Sequence, residues 1–350
     1  MKSFDALIGT ALANLLPVPV KRTKVSITTA LFIRPGGIGD ALLLAPAINV
    51  FRKHFPDVCI SVLAEKRNAG VFTLIPAVER VYSYDFIKDV IDFHNTQYDI
   101  IIDTEQWHRL SAVCSRIIPS IMKIGFNTNN RERMFTDSIL YRQTDYEAQS
   151  FLNLLKPLGI NEKFDYDTRF LHVPEPVKEQ IYNKMGLKLP YVTIFPGASI
   201  KERRWGLSKF NSLAKHLSNI GILPVIVGGK EDIYSGDIIV NGTLGINLAG
   251  KTSLTGTAAI ISRSKLLISS DSGVLHIAVG LGIPTVSLFG SGIAAKWAPR
   301  GDLHKVVHSN QSCAPCTVFG TTPRCDNGVK CLEDINVQDV LIPVQVLLNM

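Results

Sequence analysis

The residues best suited to chemistry lie in three short segments, and each segment follows an apolar run of strand length. The first is Arg34–Asp40, with the sequence RPGGIGD, which leads into an apolar helix. Glycines at such a turn let the backbone approach a ligand closely, and a carboxylate in a ligand-facing loop can act as a general base. Asp40 is therefore a candidate base, unless it only caps the helix that follows. The glycines of this segment are Gly36, Gly37 and Gly39.

The second segment combines a loop of small residues with clustered cations. Ser199 ends the loop Pro196–Ser199, and Lys201–Trp205 follows with the sequence KERRW. Hydroxyl and backbone donors beside a forked guanidinium suit the oxygens of a diphosphate. Ser199 and Arg203 are therefore candidate phosphate ligands, although an ordinary solvated basic loop has the same composition.

The third segment, Ser269–His276, carries a carboxylate and small residues between an apolar run and a helix. A helix that begins at Ser272 and Gly273 offers unpaired N–H groups to a phosphate. Asp271, just before it, can bond sugar hydroxyls. His276 lies one helical turn past Ser272 and is either a further ligand contact or a structural histidine.

The elements that must position these segments follow from the hydrophobic pattern. From Thr29 onward, short apolar runs alternate with helix-length amphipathic segments, as in an α/β protein with mostly parallel sheets. The apolar runs predict strands at Ala30–Ile33, Cys59–Leu63, Arg80–Ser83, Tyr98–Asp103, Lys123–Phe126, Tyr191–Phe195, Pro224–Val227, Leu266–Ser269 and Thr285–Phe289. The intervening segments predict helices at Asp40–His54, Gln106–Ile118, Tyr146–Leu158, Leu207–Asn219, Ser253–Ser264, Ser272–Leu281 and Asn336–Leu348.

At 350 residues the chain is too long for one ordinary core and fits two domains. Two Rossmann-like domains in series would face a central cleft at the carboxyl ends of their strands, where ligands bind in open α/β sheets. The segment 161–190 is polar and contains prolines, so we predict it as the crossing between the domains. The predicted parts are a lead-in at 1–28, a first domain at 29–160, the crossing at 161–190 and a second domain at 191–350 that ends in a helix.

Composition restricts the classes of partner. Hydrophobic residues make up 46% and charged residues 19%, which is globular and excludes collagen-like or disordered chains. Lys and Arg number 37 against 30 Asp and Glu, so the net charge of +7 favours anionic partners. Nucleic acid is not an expected partner because the sequence has no such binding motif and no concentrated basic stripe. No apolar stretch reaches the roughly 18 to 20 residues that a membrane-spanning helix needs.

Two features of the sequence are candidates for contact with a membrane or another anionic partner: its first 20 residues and a set of basic residues. Residues 1–20 are apolar in patches and predict an amphipathic helix that packs on the domain or rests on a membrane, with a signal peptide as the alternative. Some basic residues are candidate contacts to an anionic partner, or else an ordinary solvated surface. They are Lys21, Arg22, Lys24, Arg131 and Arg133.

The three segments, in this order and within about Thr29 to Val340, resemble the bacterial heptosyltransferases of glycosyltransferase family 9. The resemblance implies a GT-B fold whose first domain mainly binds the acceptor and whose second mainly binds a nucleotide sugar, usually ADP-heptose. It implies an inverting transfer that needs no cofactor, to a lipid-linked anionic saccharide of the lipopolysaccharide inner core. The implied location is the cytoplasm, in peripheral contact with the inner membrane. The alternatives are a member that uses another nucleotide sugar for a different surface glycan and a non-catalytic nucleotide-binding relative.

The same resemblance assigns roles to residues. Asp40 matches the family's proposed catalytic base. Ser199 matches a hydroxyl contact to the donor phosphates, and Arg203 stands where many members have a phosphate-binding lysine. Asp271 matches the carboxylate near the donor sugar. The remaining donor matches are Ser272 and Gly273 at the phosphate-binding helix start, and Glu231 or Asp232 as the carboxylate that holds the ribose.

Four of the six cysteines are close together in the sequence, in a stretch that we call the Cys-rich segment, residues 313–331. A C-x2-C pair with two more cysteines close behind has the character of a metal site, and four thiolates suit tetrahedral zinc or an iron–sulfur cluster. Similar Cys-rich tails occur in many members of the family that the sequence resembles, and the resemblance therefore implies a structural clamp, with free thiols and disulfides as the alternatives. Cys59 and Cys114 have apolar neighbours and are predicted to be buried. The four clustered residues are Cys313, Cys316, Cys325 and Cys331.

Overall fold

The computed structural model describes residues 16–20, 26–86, 88–89, 92, 96–187 and 190–349. They form two compact units, of which the first ends at Phe164 and the second begins at Asp165. Most of the predicted lead-in lies outside the described residues, and so do Lys21, Arg22 and Lys24. Among the described helices, none has both the length and the apolar character to cross a membrane.

The first unit is built on a parallel sheet. Its strands are β1 Thr29–Arg34, β2 Cys59–Ala64, β3 Arg80–Ser83, β4 Ile100–Asp103, β5 Met122–Phe126 and β6 Asp137–Ile139. Their order across the sheet is β3-β2-β1-β4-β5-β6. In the centre, Ala30 of β1 pairs with Ile60 on one side and Ile100 on the other. Residues 30–33 are buried because a parallel sheet is packed on both faces, which is why β1 reads as a continuous apolar run.

The helices of the first unit differ from the prediction in one place that matters for the site. The single helix predicted over Asp40–His54 is two helices that meet at Leu44. Pro46 lies in the first turn of the second helix, where the absence of its N–H is tolerated. In the interior of one continuous helix, the same proline would remove a backbone hydrogen bond, so the helix is interrupted before it. The helices are α1 Ile38–Leu43, α2 Ala45–His54, α3 Arg109–Ile117 and α4 Glu147–Asn153, with 3-10 turns at Ala69–Leu74, Glu132–Met134 and Lys156–Leu158.

The second unit also has a parallel sheet. Its strands are β7 Tyr191–Phe195, β8 Leu223–Ile226, β9 Ile246–Asn247, β10 Leu267–Ser270, β11 Thr285–Phe289 and β12 His304–His308. Their order across the sheet is β12-β11-β10-β7-β8-β9. The helices are α5 Glu175–Met185, α6 Leu207–Asn219, α7 Ile233–Val240, α8 Leu254–Ile261, α9 Gly273–Leu281, α10 Ala294–Trp297, α11 Lys330–Glu333 and α12 Val337–Leu348, with 3-10 turns at Lys201–Arg203 and Lys230–Asp232.

The two sheets share one topology. In each unit the first strand of the chain lies in the middle, the second and third follow on one side, and the fourth, fifth and sixth follow on the other. This is the Rossmann strand order, and its ligand position is where the order reverses, beside the carboxyl ends of the first and fourth strands. The reversal falls between β1 and β4 in the first unit and between β7 and β10 in the second.

The structure contains elements that the hydrophobic pattern did not indicate. They include the edge strands β6, β9 and β12 and the helix α5, which lies inside the predicted crossing 161–190. In α5, Ile181, Tyr182 and Met185 pack against a core cluster of the second unit. Much of the predicted crossing is therefore part of the second unit's own fold.

Candidate active site

The loop after β1 places Asp40 beside a buried arginine. Gly36 has a φ of +100°, which favours glycine, and a Cβ at this position would lie 3.1 Å from Arg34 Nη2. The turn therefore passes close to Arg34 before α1 begins. Asp40 lies in the first turn of α1 with 28% of its side chain exposed, and its Oδ2 is 3.9 Å from Arg34 Nη2.

Arg34 is 1% exposed, and its guanidinium is held on several sides. Nε donates to the carbonyl of Pro35 at 2.6 Å, and Nη1 donates to the carbonyl of Thr104 at 2.7 Å. Nη2 lies 3.4 Å from Glu105 Oε2 and 3.3 Å from Gln106 Oε1. A buried cation with this many fixed acceptors is restricted to one orientation.

Glu105 and Gln106 belong to this candidate site, although the sequence pattern did not indicate them. They follow β4, which neighbours β1, so the available signal was their position after a strand at the reversal of the sheet. Burial alone would raise the pKa of Glu105, but Arg34 and Arg131 hold that pKa below its usual value. Gln106 Nε2 donates to Glu147 Oε1 at 2.6 Å, which extends the network to α4.

Tyr141 joins the same network near Asp40. Its hydroxyl donates to Glu147 Oε2 at 2.9 Å. Burial and the carboxylates of Glu147 and Asp40 raise the pKa of Tyr141, so the phenol keeps its proton at neutral pH. Asp40 thus lies within electrostatic range of a protonated phenol as well as a guanidinium.

Arg131, predicted as a contact to an anionic partner, is instead buried inside the first unit. Its Nη2 lies 2.8 Å from Asp103 Oδ2, and both side chains are 0% exposed. Its Nη1 donates to the carbonyl of Glu105. The prediction for Arg131 is wrong, because a basic residue in a loop does not reveal that a buried acid lies opposite it. Arg133 is exposed, and its role stays a prediction.

In the second unit, the loop after β7 is anchored by two side chains. Arg204 Nη2 donates to the carbonyl of Ala198 at 3.1 Å. Trp205 is fully buried, and its indole N–H donates to the carbonyl of Ile335 at 2.9 Å. Trp205 therefore anchors the basic segment Lys201–Trp205 to the core. Ser199, in the loop before it, is exposed.

Arg203 and Asp271, which are 68 positions apart by their numbers, lie together. Arg203 ends the 3-10 turn that follows β7, and Asp271 comes directly after β10. Arg203 Nη1 is 3.1 Å from Asp271 Oδ2. Burial raises the pKa of Asp271, and Arg203 acts against that rise. A Cβ at Gly292 would collide with the Asp271 carboxylate, so the close approach of the Gly292 backbone to Asp271 requires glycine.

Helix α9 begins beside this ion pair. Ser272 occupies the N-cap position, but its side chain does not cap the helix; its Oγ lies 2.8 Å from Ser269 Oγ. Gly273 is the first helical residue. The first backbone N–H groups of a helix lack intrahelical partners and suit an anion. The start of α9, Arg203 and Asp271 therefore form one cluster at the reversal of the second sheet, which we call the donor cluster after the ligand predicted for it.

His276, the fourth residue of α9, is only 2% exposed. Burial, together with nearby His304, lowers the pKa of His276 to about 4. The imidazole is therefore neutral at pH 7 and cannot supply a positive charge to a phosphate. The burial favours the structural alternative, and a ligand contact by His276 stays a prediction.

The structure distinguishes Glu231 from Asp232. The Asp232 carboxylate is buried and accepts the backbone N–H of Gly229 at 3.0 Å. A Cβ at Gly197 or Gly228 would lie 2.6 Å from this carboxylate, so Asp232 fills a space between glycines. Glu231 is exposed. Of the two candidates, Glu231 is therefore the one that is accessible from solvent.

We expect Glu231→Gln to weaken binding of ADP by about tenfold, because a charge-assisted hydrogen bond to a ribose hydroxyl would become a neutral one. Titration calorimetry on the full chain measures this affinity. The matched control is Asp232→Asn, which should lower the free energy of unfolding. A larger loss of ADP affinity in Asp232→Asn than in Glu231→Gln, at unchanged stability, would reverse the assignment.

The cysteines of the Cys-rich segment line one cavity of about 340 Å³. Cys313, Cys316, Cys325 and Cys331 form no disulfide bonds in the structure. Burial and the neighbouring cysteines raise the pKa of the Cys316 and Cys331 thiols. Within the described residues, no three or more His, Cys, Asp or Glu side chains are already grouped so that they could hold a metal ion.

The two remaining cysteines are less buried than predicted. Cys59 and Cys114 are both partly exposed. Cys59 is the first residue of β2, and Cys114 packs at the border of a small core cluster, so both lie where the core meets the surface.

Comparison with known proteins agrees with this architecture. The family described as glycosyltransferase family 9 (heptosyltransferase) matches residues 92–325. Lipopolysaccharide heptosyltransferase 3 of Escherichia coli (strain K12) is 28% identical over 336 residues, which cover 89% of this chain and 95% of that protein.

Two solved structures show the same fold. The E. coli ADP-heptose lps heptosyltransferase II superposes with a TM-score of 0.76 at 21% identity, covering 92% of this chain and 99% of that one. The iron-containing dodecameric glycosyltransferase TibC from enterotoxigenic E. coli H10407 superposes with a TM-score of 0.60 at 13% identity, covering 94% and 77%. The predicted GT-B class, with two Rossmann-like domains and parallel sheets, is confirmed. This chain belongs to glycosyltransferase family 9, the heptosyltransferase family.

Proposed function

We propose that this glycosyltransferase transfers heptose from ADP-heptose to a sugar hydroxyl in the inner core of lipopolysaccharide, with inversion at the anomeric carbon. The observation that carries the proposal is the donor cluster, where Arg203 lies 3.1 Å from Asp271 beside the start of α9. A guanidinium and helix N–H groups suit a diphosphate, and a carboxylate suits sugar hydroxyls. The names of the relatives support the lipopolysaccharide acceptor and the ADP-heptose donor.

In the proposed reaction, Asp40 accepts the proton of the acceptor hydroxyl as its oxygen attacks the anomeric carbon opposite the diphosphate. A new carbon–oxygen bond forms, the bond to the diphosphate oxygen breaks, and ADP leaves with the electron pair. Arg203 and the N–H groups of α9 stabilise the charge that develops on the leaving diphosphate. We propose no metal for this step, because these groups supply positive charge to the diphosphate. Ser199 is a proposed hydroxyl contact to the same phosphates.

We propose the first unit as the acceptor-binding domain, within 29–160, and the second as the donor-binding domain, within 191–350. The proposed place of action is the cytoplasmic face of the inner membrane. A net charge of +7 supports it, because an anionic lipid-linked acceptor attracts a basic protein.

The experiment that tests the proposal has two stages. The full chain is first titrated with ADP, UDP, GDP and CDP while its Tm is followed; a nucleotide at about 100 times its Kd should stabilise the protein by about 2.7 kcal/mol. The protein is then incubated with ADP-heptose and truncated inner-core lipopolysaccharide, and the product mass is measured. We expect selective stabilisation by ADP and a gain of one heptose. Selective stabilisation by UDP or GDP would overturn the proposed donor, and ADP binding without transfer would support a non-catalytic relative.

We also propose that the Cys-rich segment binds one structural metal ion through its four thiols. The four sulfur donors line one cavity and fit the chemistry of zinc or iron, although they are not already grouped as a ligand set. The bound metal would hold the segment's loops together and take no part in the transfer. TibC is an iron-containing member of the same fold, which supports the proposal.

Elemental analysis of protein purified without added chelator tests this proposal, with an expected content of about one zinc or iron per chain. Cys313→Ser/Cys316→Ser should lose the metal and lower the Tm, because metal binding contributes to folding free energy. The matched control is Cys59→Ser/Cys114→Ser, which should keep the metal. Metal-free protein whose four thiols all react with a thiol reagent would contradict the proposal.

A further inference from the structure

The Cys-rich segment contacts the donor cluster directly. Arg203 Nη2 lies 3.4 Å from Thr317 Oγ1 and 3.4 Å from Thr322 Oγ1. Both threonines lie between Cys316 and Cys325 in the sequence. The cation proposed to bind the donor phosphates is therefore held in part by a segment that is far from it in sequence.

The two threonines form a fixed pair. Their hydroxyl oxygens are 2.7 Å apart, and Thr317 is only 2% exposed. Between them, Val318 and Thr321 exchange two backbone hydrogen bonds of 2.9 Å, which turns the chain back on itself. The backbone N–H of Thr317 donates to the carbonyl of Ser291 at 3.0 Å, so the pair is attached to the loop that follows β11.

Arg203 is consequently restrained from two directions. Its Nη1 faces Asp271 at 3.1 Å, whereas its Nη2 faces the hydroxyls of Thr317 and Thr322. The Nε of Arg203 is buried and has no hydrogen-bond partner among the described residues. A planar guanidinium held along two edges keeps a fixed plane, and neutral hydroxyl acceptors do so without cancelling its charge.

We propose that Thr317 and Thr322 are positioning residues that set the orientation of Arg203 for the donor diphosphate. The proposal rests on the proposed function, because it assumes that Arg203 binds that diphosphate. It gives the Cys-rich segment a role in donor affinity in addition to any role in stability.

The test is the affinity of the full chain for ADP, measured by titration calorimetry. Thr317→Val keeps the shape of the side chain and removes its hydroxyl, so we expect binding about 3- to 10-fold weaker, the range for loss of one hydrogen bond. Thr317→Ser retains the hydroxyl and should restore the affinity. Thr322→Val, at a less buried position, should also weaken ADP binding. It replaces Thr317→Val in the test if that variant does not fold.

The chain offers a matched control. Thr252 and Thr257 also lie five positions apart, with hydroxyl oxygens at 2.8 Å, and Thr257 is 6% exposed. Neither residue contacts Arg203 among the described interactions. Thr257→Val should therefore leave the ADP affinity unchanged. An equal loss of affinity in Thr257→Val would show that Thr317→Val acts through general damage to the domain, and would overturn the inference.

A double-mutant cycle with Arg203→Met separates this inference from the proposed function. We expect Arg203→Met to weaken ADP binding and Thr317→Val to have no further effect in that background. If Arg203→Met weakens binding but Thr317→Val does not, the inference fails and the proposed function stands. If Arg203→Met leaves the affinity unchanged, the proposed role of Arg203 itself fails. Equal effects of Thr317→Val with and without Arg203 would also overturn the inference.

Discussion

Asp40→Asn should lower kcat by about 10²- to 10⁴-fold, the range that a general base contributes. The physical reason is that an amide cannot accept the proton of the acceptor hydroxyl, whereas its size and polarity stay close to those of the carboxylate. The donor cluster is built from other residues, so the affinity for ADP should be preserved. Initial rates of heptose transfer at saturating donor, together with calorimetry on ADP, measure the two quantities.

The structural alternative for Asp40 makes the opposite prediction. Gly37 occupies the N-cap position and Asp40 is the third residue of α1, so an Asp40 that only supported α1 would act through the helix dipole. Asp40→Asn would then cost about 0.3–1 kcal/mol of stability, with little change in kcat. The Tm of the variant is the control, because a fall in Tm together with a proportional loss of active protein would indicate structural damage. Normal kcat in a stable Asp40→Asn protein would remove Asp40 from the proposed mechanism.

Much of the site could be predicted from the sequence because its parts follow central strands. A strand buried on both faces reads as a continuous apolar run, and the loop after it stands out by its glycines and polar residues. This is why the sequence indicates Arg34–Asp40 after β1 and Asp271 after β10 as candidate site residues. Their meeting with other loops depends on strand order, which the hydrophobic pattern does not contain.

Pairings across the fold could not be predicted for the same reason. The contact of Arg34 with Glu105 joins residues 71 positions apart, and that of Arg203 with Thr317 joins residues 114 apart. Each contact exists because the two segments that carry its residues lie at the same edge of a sheet. A sequence without an alignment gives the residue types of both partners, but nothing that assigns one partner to the other.

Edge elements were missed for a different reason. The strand β9 contains only Ile246 and Asn247, and β12 contains histidines and a lysine among its valines, so neither presents a long apolar run. Edge strands have one neighbour and partial exposure, which relaxes the requirement for apolar residues. Helix α5 begins with Glu175 and Pro176 and has no fully buried residue, so it resembled a polar connection.

Arg131→Met should destabilise the first unit by about 3–5 kcal/mol, because it leaves the carboxylate of Asp103 buried without its partner. Both side chains are fully buried, and the two groups are 2.8 Å apart. Burial already raises the pKa of Asp103, against the effect of Arg131, so removal of Arg131 makes its ionised form less favourable still. Urea unfolding of the full chain, followed by fluorescence and circular dichroism, measures the loss of stability.

Two further variants decide between a structural role and an acceptor contact for Arg131. Asp103→Leu/Arg131→Met removes both charges, and it should recover much of the lost stability because no unpaired ion remains in the interior. Arg133→Ala, which truncates an exposed side chain two residues away, should leave stability within about 0.5 kcal/mol of the wild type. An Arg131→Met protein with normal stability but a raised KM for the acceptor would contradict the buried ion pair. Recovery of stability in the double variant would instead show that the role of Arg131 is to neutralise Asp103. Asp103 is followed in the chain by Thr104 and Glu105, and these two residues hold Arg34 beside the proposed base.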